Sequence, residues 1–295
     1  MTEILQMISR GLGLGSVYAL LALGFVIIYK STRVISFAQP AFMLTGAVLV
    51  SYFTGPLGFF VAVPLAALAT AALALGVERV AIRPMVGRPV FAVAIITIGV
   101  DLVVRVFATG LLGIDIRQVG DPWGLESTLI GGVEIQQRHI AMVVTTVVLV
   151  TLLFAFFRFT RMGLAMRAAA YDQEAALAQG VSVGAVFAVA WGIAGALAAI
   201  GGTFAAAGGS VEQTLGLTAL VALPVIILGG LDSLPGAVLG GVAVGVLQEL
   251  VAQYQYKFPS WLGGNVSAIT PWVVMLLVLL VRPYGLFGTR EVERV

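Results

Sequence analysis

Long apolar runs separated by short polar breaks occupy almost the whole chain, and each run is close to the length of a membrane-crossing helix. A helix rises about 1.5 Å per residue, so crossing a hydrocarbon core of roughly 30 Å takes about 20 predominantly apolar residues. By that measure spans are expected near 11–29, 37–54, 57–77, 90–112, 140–157, 182–207, 217–230, 236–256 and 268–282. The second and seventh runs are short, which predicts a broken or re-entrant helix at either place and eight or nine crossings in all. The expected fold is all-α: a polytopic membrane protein with discontinuous or re-entrant segments, forming one transmembrane domain over 1–295.

The clearest interruption of the apolar pattern is the basic, alanine-rich stretch RFTRMGLAMRAAAYDQEAALAQGVSV, from Arg158 to Val183. Asp172 is suited to cap a helix start, Glu174 falls in the first turn where a negative charge meets the positive end of the helix dipole, and Gly180 offers a left-handed stop. These signals predict about two turns of helix over 173–179. Such a helix is too short to be stable alone and must pack on the membrane domain or on a soluble partner.

Composition narrows the class. The 295 residues are 60% hydrophobic and 10% charged, against roughly 25% charged in soluble domains. With no cysteine, thiolate metal sites, disulfides and cysteine nucleophiles are excluded, and a single histidine, His139, leaves little room for zinc or triad chemistry. No catalytic or metal-binding residues are therefore expected. The net charge of +2 comes from basic residues scattered singly at span ends, so it points to membrane topology rather than to nucleic acid. If the region at 158–181 is cytoplasmic and all nine runs cross, eleven Lys and Arg, from Lys30 to Arg294, gather on the cytoplasmic side, while the outer side keeps four, Arg10, Arg117, Arg138 and Lys257. That asymmetry places the N-terminus outside and the C-terminus inside. Met1 to Arg10 carries Glu3 and runs straight into a span, so no cleaved signal peptide is expected.

The external loop at 113–139 contains Asp115, Asp121, Trp123, Glu126 and Glu134. It is either a surface met by an extracytoplasmic partner or a solvated connector anchored at Trp123 and His139. Pro40, Leu44 and Gly46 recur at the spacing of Pro235, Leu239 and Gly241, each set opening an apolar helix, a pattern compatible with two structural repeats that begin with discontinuous helices. GFVIIYKS at 24–31 imitates a phosphate-binding loop, but Tyr29 stands where the second glycine is needed. Gly11, Gly13 and Gly15 lie inside a span with no preceding strand, so they are expected to allow close helix packing rather than to bind a dinucleotide.

Charges inside spans are costly unless paired or wetted. Asp101 and Arg105 share one helix face and can pair, either as an orienting ion pair or beside a solute path. Glu249 follows Gln248 late in a span with no basic neighbour in that span, and faces either the bundle interior or the outer headgroups. Ser36, Gln39 and Thr45 surround Pro40, where a helix must start or break. Together with Thr97 they are candidates for lining a path for a small polar solute, or for satisfying the backbone that the proline frees.

Six stretches together resemble the LivH-type permeases of branched-chain amino acid ABC transporters, whose superfamily also serves urea, short amides and other small solutes. They are GSVYALLALGFVIIY at 15–29, RVISFAQPAFMLTGA at 33–47, ERVAIRPMVGRP at 78–89, TRMGLAMRAAAYDQEAALAQGVSV at 160–183, LPVIILGGLDSLPGAVLGG at 223–241 and VRPYGLFG at 281–288. Ser36 and Pro40 depart from the Asn-Phe-Ala-His/Gln-Gly pattern usual in that family, which leaves the solute open among branched-chain amino acids, urea, amides and aromatic carboxylates.

The resemblance implies an ABC importer permease in a bacterial or archaeal cytoplasmic membrane. It implies a second, LivM-type permease as heterodimer partner, two cytoplasmic ATP-binding subunits and an external solute-binding protein. ATP and Mg²⁺ would be held by the partner ATPases, with no cofactor on this chain. It further implies that Gly163, Arg167, Ala168, Asp172, Glu174, Ala175 and Gly180 belong to the element that couples to the ATPase. The competing readings are a secondary transporter or channel that uses Asp101, Arg105 and Glu249 for ion coupling, and an intramembrane enzyme, for which no nucleophile and base pair is evident.

Overall fold

The computed structural model describes residues 2–85, 88–113, 117–259 and 264–289. Helix α1 (Thr2–Thr32) is longer than its apolar core because Glu3 in its first turn and Lys30 in its last complement the helix dipole. After a short irregular junction come α2 (Gln39–Leu57), which has Pro40 in its first turn, and α3 (Phe59–Val77), separated from α2 by Gly58 alone. A π-helical turn (Glu78–Ile82) and a 3₁₀ turn (Arg83–Met85) extend α3, and α4 (Val90–Leu112) follows.

The segment at 113–139, expected to be an external loop, differs from the plain connector anticipated. It contains an antiparallel hairpin of β1 (Ser127–Ile130) and β2 (Val133–Gln136), and α5 (Gln137–Phe159) begins before the segment's expected end. Gly131 and Gly132, both at positive φ, make the two-residue turn whose twist suits a hairpin. Asp115 lies outside the described residues.

Next come α6 (Arg161–Tyr171), α7 (Gln173–Ala178) and α8 (Val183–Ala206). The seventh apolar run is indeed broken, into α9 (Leu215–Leu220) and α10 (Ala222–Gly229). The chain continues through α11 (Leu234–Tyr254), a 3₁₀ turn and α12 (Val266–Val281). Among the described residues seven helices are long and apolar enough to cross a membrane, and Leu215–Gly229 and Val266–Val281 are shorter apolar helices. The second run, expected to be short, is among the seven; the last one, with 16 helical residues, reaches only about 24 Å.

The chain groups into two compact units, one of residues 27–122 and 147–219 and the other of residues 1–26, 123–146 and 220–295. In the former, α2 packs against α3, α4 and α8. Gly46 and Gly202 bring α2 and α8 into backbone contact: a Cβ on Gly46 would lie 2.3 Å from Ala199 Cα, and one on Gly202 2.3 Å from Met43 O. Small residues serve this purpose because lipid supplies no hydrophobic drive between helices, so close van der Waals contact must do so. The run from Gln39 to Val48 is buried throughout, whereas Phe60, Leu68, Phe91 and Phe107 of α3 and α4 are exposed, as lipid-facing side chains would be.

In the other unit, α1 meets α11 along the glycines noted in the sequence. A Cβ on Gly11 would lie 2.6 Å from Val246 Cα, and one on Gly15 2.8 Å from Val242 Cα, so the packing reading of these glycines holds. Two of the family-like stretches also meet here: Leu286 N–H donates to Leu228 O (2.8 Å) and Phe287 N–H to Gly229 O (3.1 Å), strapping the turn between α10 and α11.

Candidate functional site

The polar stretch after α5 folds as two helices rather than the single short one expected. Thr160 caps α6, its hydroxyl accepting from Gly163 N–H at 2.9 Å, and the cap was missed because a second capping residue stands twelve positions later at Asp172. Asp172 caps α7, its Oδ1 accepting from Ala175 N–H at 3.0 Å. Gly180, at φ +83°, ends α7 with the paired bonds Gly180 N–H to Leu177 O and Val181 N–H to Ala176 O, both 2.9 Å. The capping signals were therefore legible, while α7 is six residues, shorter than the two turns expected.

Among the residues expected to meet an ATPase, Arg167, Ala168, Asp172, Glu174, Ala175 and Gly180 are exposed. Gly163 is not. It is buried where α6 turns back against α5, and a Cβ there would sit 2.3 Å from Phe156 O, so it is a packing residue. Gly163, Met166 and Ala169 form the inner face of α6, and Ala176 that of α7. The outward face carries apolar side chains that the sequence reading passed over: Leu164, Tyr171 at 93% exposure and Leu177. The signal was present as helical spacing, since Leu164, Arg167, Ala168 and Tyr171 fall on one side of α6. At its far end the segment is anchored by Arg83, which holds the buried Glu78 carboxylate through Nε (3.1 Å) and Nη2 (3.0 Å) and donates to Gly184 O at the start of α8 (3.0 Å).

A second site lies in the same unit, at the start of α2. The N-cap position is Ala38, which has no side chain able to cap. Ser36 Oγ accepts from Ala38 N–H (3.3 Å), and Thr97 Oγ1, from α4, accepts from Phe37 N–H (3.0 Å). Thr45 bonds back to Ala41 O at 2.7 Å and so satisfies its own helix rather than a path. Gln39 is fully buried, and neither its Nε2 nor its Oε1 has a hydrogen-bond partner among the described residues. A buried, unpaired amide costs free energy, so a position of this kind marks either strain or an unfilled site.

Asp101 and Arg105 form the pair expected, with Oδ2 2.6 Å from Nη2. The backbone amide of Ala41, in the first turn of α2, acts on the same carboxylate, while Oδ1 has no hydrogen-bond partner among the described residues. Trp191 of α8 stands edge-on to Phe42 at 6.2 Å, and its buried Nε1 likewise has no such partner. Nothing in the sequence distinguished Trp191 from an ordinary core aromatic.

Ser36, Phe37, Gln39, Thr97 and Asp101 are thus linked through the start of α2, whereas Glu249 belongs to the other unit. There it faces Arg10 at 4.0 Å: its own span supplies no basic residue, and the partner comes from α1. Among the described residues no group of three or more His, Cys, Asp or Glu is placed to hold a metal ion.

The family described as "Branched-chain amino acid transport system / permease component" matches residues 7–281. The chain is 29% identical to the high-affinity branched-chain amino acid transport system permease protein LivH of Salmonella typhimurium, over 99% of this chain and 97% of that protein. It is 28% identical to the permease protein BraD of Pseudomonas aeruginosa, over 99% and 98% respectively. A probable branched-chain amino acid transport permease protein LivH of Methanocaldococcus jannaschii is 26% identical, over 91% of this chain and 88% of that protein.

Proposed function

We propose, from the premise that this chain belongs to the branched-chain amino acid transport system permease family, that it carries branched-chain amino acids or a similar small polar solute across a bacterial or archaeal cytoplasmic membrane. It is a multi-pass membrane permease component of an ABC transport system. The partners in this reading are a second, related permease, two cytoplasmic ATPases and an external solute-binding protein. ATP and Mg²⁺ belong to the ATPases, and this chain performs no covalent chemistry. The N-terminus is outside, and α6 and α7 face the cytoplasm.

The observation that carries this reading is the exposed face of α6 and α7, with Leu164, Tyr171 and Leu177 among Arg167, Asp172 and Glu174. Large apolar side chains on a short, capped, polar segment outside the spans suit a protein partner better than water or lipid. Closure of the ATPase dimer on ATP moves these helices, and the bundle alternates between inward-open and outward-open states. The solute path runs past the start of α2. There Gln39, the Oδ1 of Asp101 and the Nε1 of Trp191 supply polar groups that a passing solute can pair with transiently.

Gly180→Asp or Tyr171→Glu tests the docking. Either variant is expected to leave the permease folded and inserted while the ATPases no longer co-purify and solute uptake is lost. Full ATPase retention and full uptake in both variants would overturn it.

A further inference from the structure

The junction between α1 and α2 and the elbow between α6 and α7 exchange hydrogen bonds in both directions. Arg33 Nη2 donates to Ala170 O at 2.8 Å, and Gln173 Nε2 donates to Ser31 O at 2.8 Å. Both acceptors lie in the last turn of a helix, α6 and α1 respectively, where carbonyls lose their intrahelical partners and the helix dipole is negative. A guanidinium and a carboxamide donor therefore each satisfy an orphaned helix end on the opposite segment.

The junction itself is held in an uncommon shape. Arg33 is the non-glycine residue at positive φ, +58°, among those described, and Arg33 N–H closes α1 onto Tyr29 O at 2.7 Å. A side-chain-bearing residue adopts that backbone region at a cost and stays there only when its surroundings hold it. Beside the junction lies a cavity of about 70 Å³ whose lining includes Thr32, Val34, Arg88, Gln173 and Phe187, so the junction has free space to move into. At its other end the junction reaches Phe37, bonded to Thr97, and then the buried, unpaired Gln39.

We infer that Arg33 and Gln173 form a latch through which displacement of α6 and α7 is passed to the α1–α2 junction and so to the start of α2. This rests on the proposed docking of the ATPases on α6 and α7. The latch couples two ends of an element that already has a strained shape and room to change. Rigid helices on both sides leave residues 33–38 as the place where the change is absorbed. Arg33 and Gln173 are positioning residues; neither touches the solute.

The test uses the full transporter, reconstituted with its ATPases and external binding protein, and reads solute taken up per ATP hydrolysed. A residue that merely supports the fold changes the amount of complex but not this ratio. Arg33→Gly removes the guanidinium while suiting the positive φ, and Gln173→Ala removes the latch from the other side. Each is expected to lower the ratio by about tenfold, within the range by which residues of a coupling network act. The double variant should be no worse than the stronger single one, because both remove the same connection. Arg33→Lys should recover part of the ratio. Site-directed cross-linking from Tyr171→Cys to the ATPase, in the wild-type background, separates the two ideas. Cross-linking at that position with unchanged ratios in both single variants would overturn the latch alone, whereas no cross-linking from α6 or α7 would overturn the docking and the latch with it.

Discussion

Helices α2 and α11 both open on a proline, Pro40 and Pro235, followed at equal spacing by Leu44 with Gly46 and by Leu239 with Gly241, yet their beginnings are finished differently. At α11, Ser233 caps the helix by accepting from Gly236 N–H at 3.1 Å. Gly236 lies so close to Gly229 that a Cβ would sit 2.1 Å from Gly229 O, and Asp232 accepts from Thr289 N–H at 3.3 Å. The corner is closed by its own neighbours. At α2 the cap position is Ala38, the first ten residues are buried, and the Asp101 carboxylate, from another helix, is met by the backbone amide of Ala41. Leu44 is buried in a core with Ala62 and Ala206, whereas Leu239 is 53% exposed. One proline-led pattern thus yields a sealed structural corner in one place and an uncapped, polar helix start inside the protein in the other. The helix start is dictated locally by the missing amide proton of proline, but what satisfies the start is decided by the surroundings.

Three single substitutions and one double variant test that contrast. The largest effect is expected for Asp101→Ala, which leaves the Arg105 guanidinium without its partner; the pair is only partly buried, so stability should fall by about 2 kcal/mol, less than when a fully buried pair is broken from one side. Replacing both, as Asp101→Ala with Arg105→Leu, should recover much of the loss. Thermal unfolding in detergent measures both, and an unperturbed single variant would show that the pair does not support the start of α2. Ser233→Ala removes a local cap and should cost about 1 kcal/mol, with uptake per folded molecule unchanged. A loss of uptake there would mean that the α11 corner is not merely structural. Gln39→Leu should not destabilise the protein at all: it removes a buried amide that has no partner among the described residues, so stability should rise, by about 1 kcal/mol. Uptake, however, should drop by about tenfold, the worth of one hydrogen bond to the solute. A variant that transports normally would remove Gln39 from the path.

What could be read in advance follows the range of each interaction. Asp172 and Gly180 were legible because a cap and a left-handed stop act within one turn. Gly11 and Gly15 were legible as packing glycines, although only the folded chain identifies α11 as what they pack against. The hairpin at 127–136 was within reach, since Gly131 and Gly132 separate two short β-prone stretches, but the surrounding polarity masked it. The ion pair of Glu249 with Arg10 spans 239 positions of sequence, so no local pattern announces it. The burial of Gly163 has a different cause: its tight contact is with Phe156 and Phe157 at the end of α5, close in sequence, but exposure cannot be read from an alanine-rich string before the turn between α5 and α6 is formed.

By itself the sequence determined the membrane class, the places where helices run and stop, the short capped segment outside the spans and the family, because hydrophobic length, proline, glycine and capping residues act through nearest neighbours along the chain. Only the tertiary structure decided which of two proline-led helices keeps unpaired polar groups at its start, which face of α6 and α7 looks outward, and that Arg33 and Gln173 bind each other's helix ends. Those outcomes depend on burial and on partners far apart in sequence, and a one-dimensional pattern carries neither.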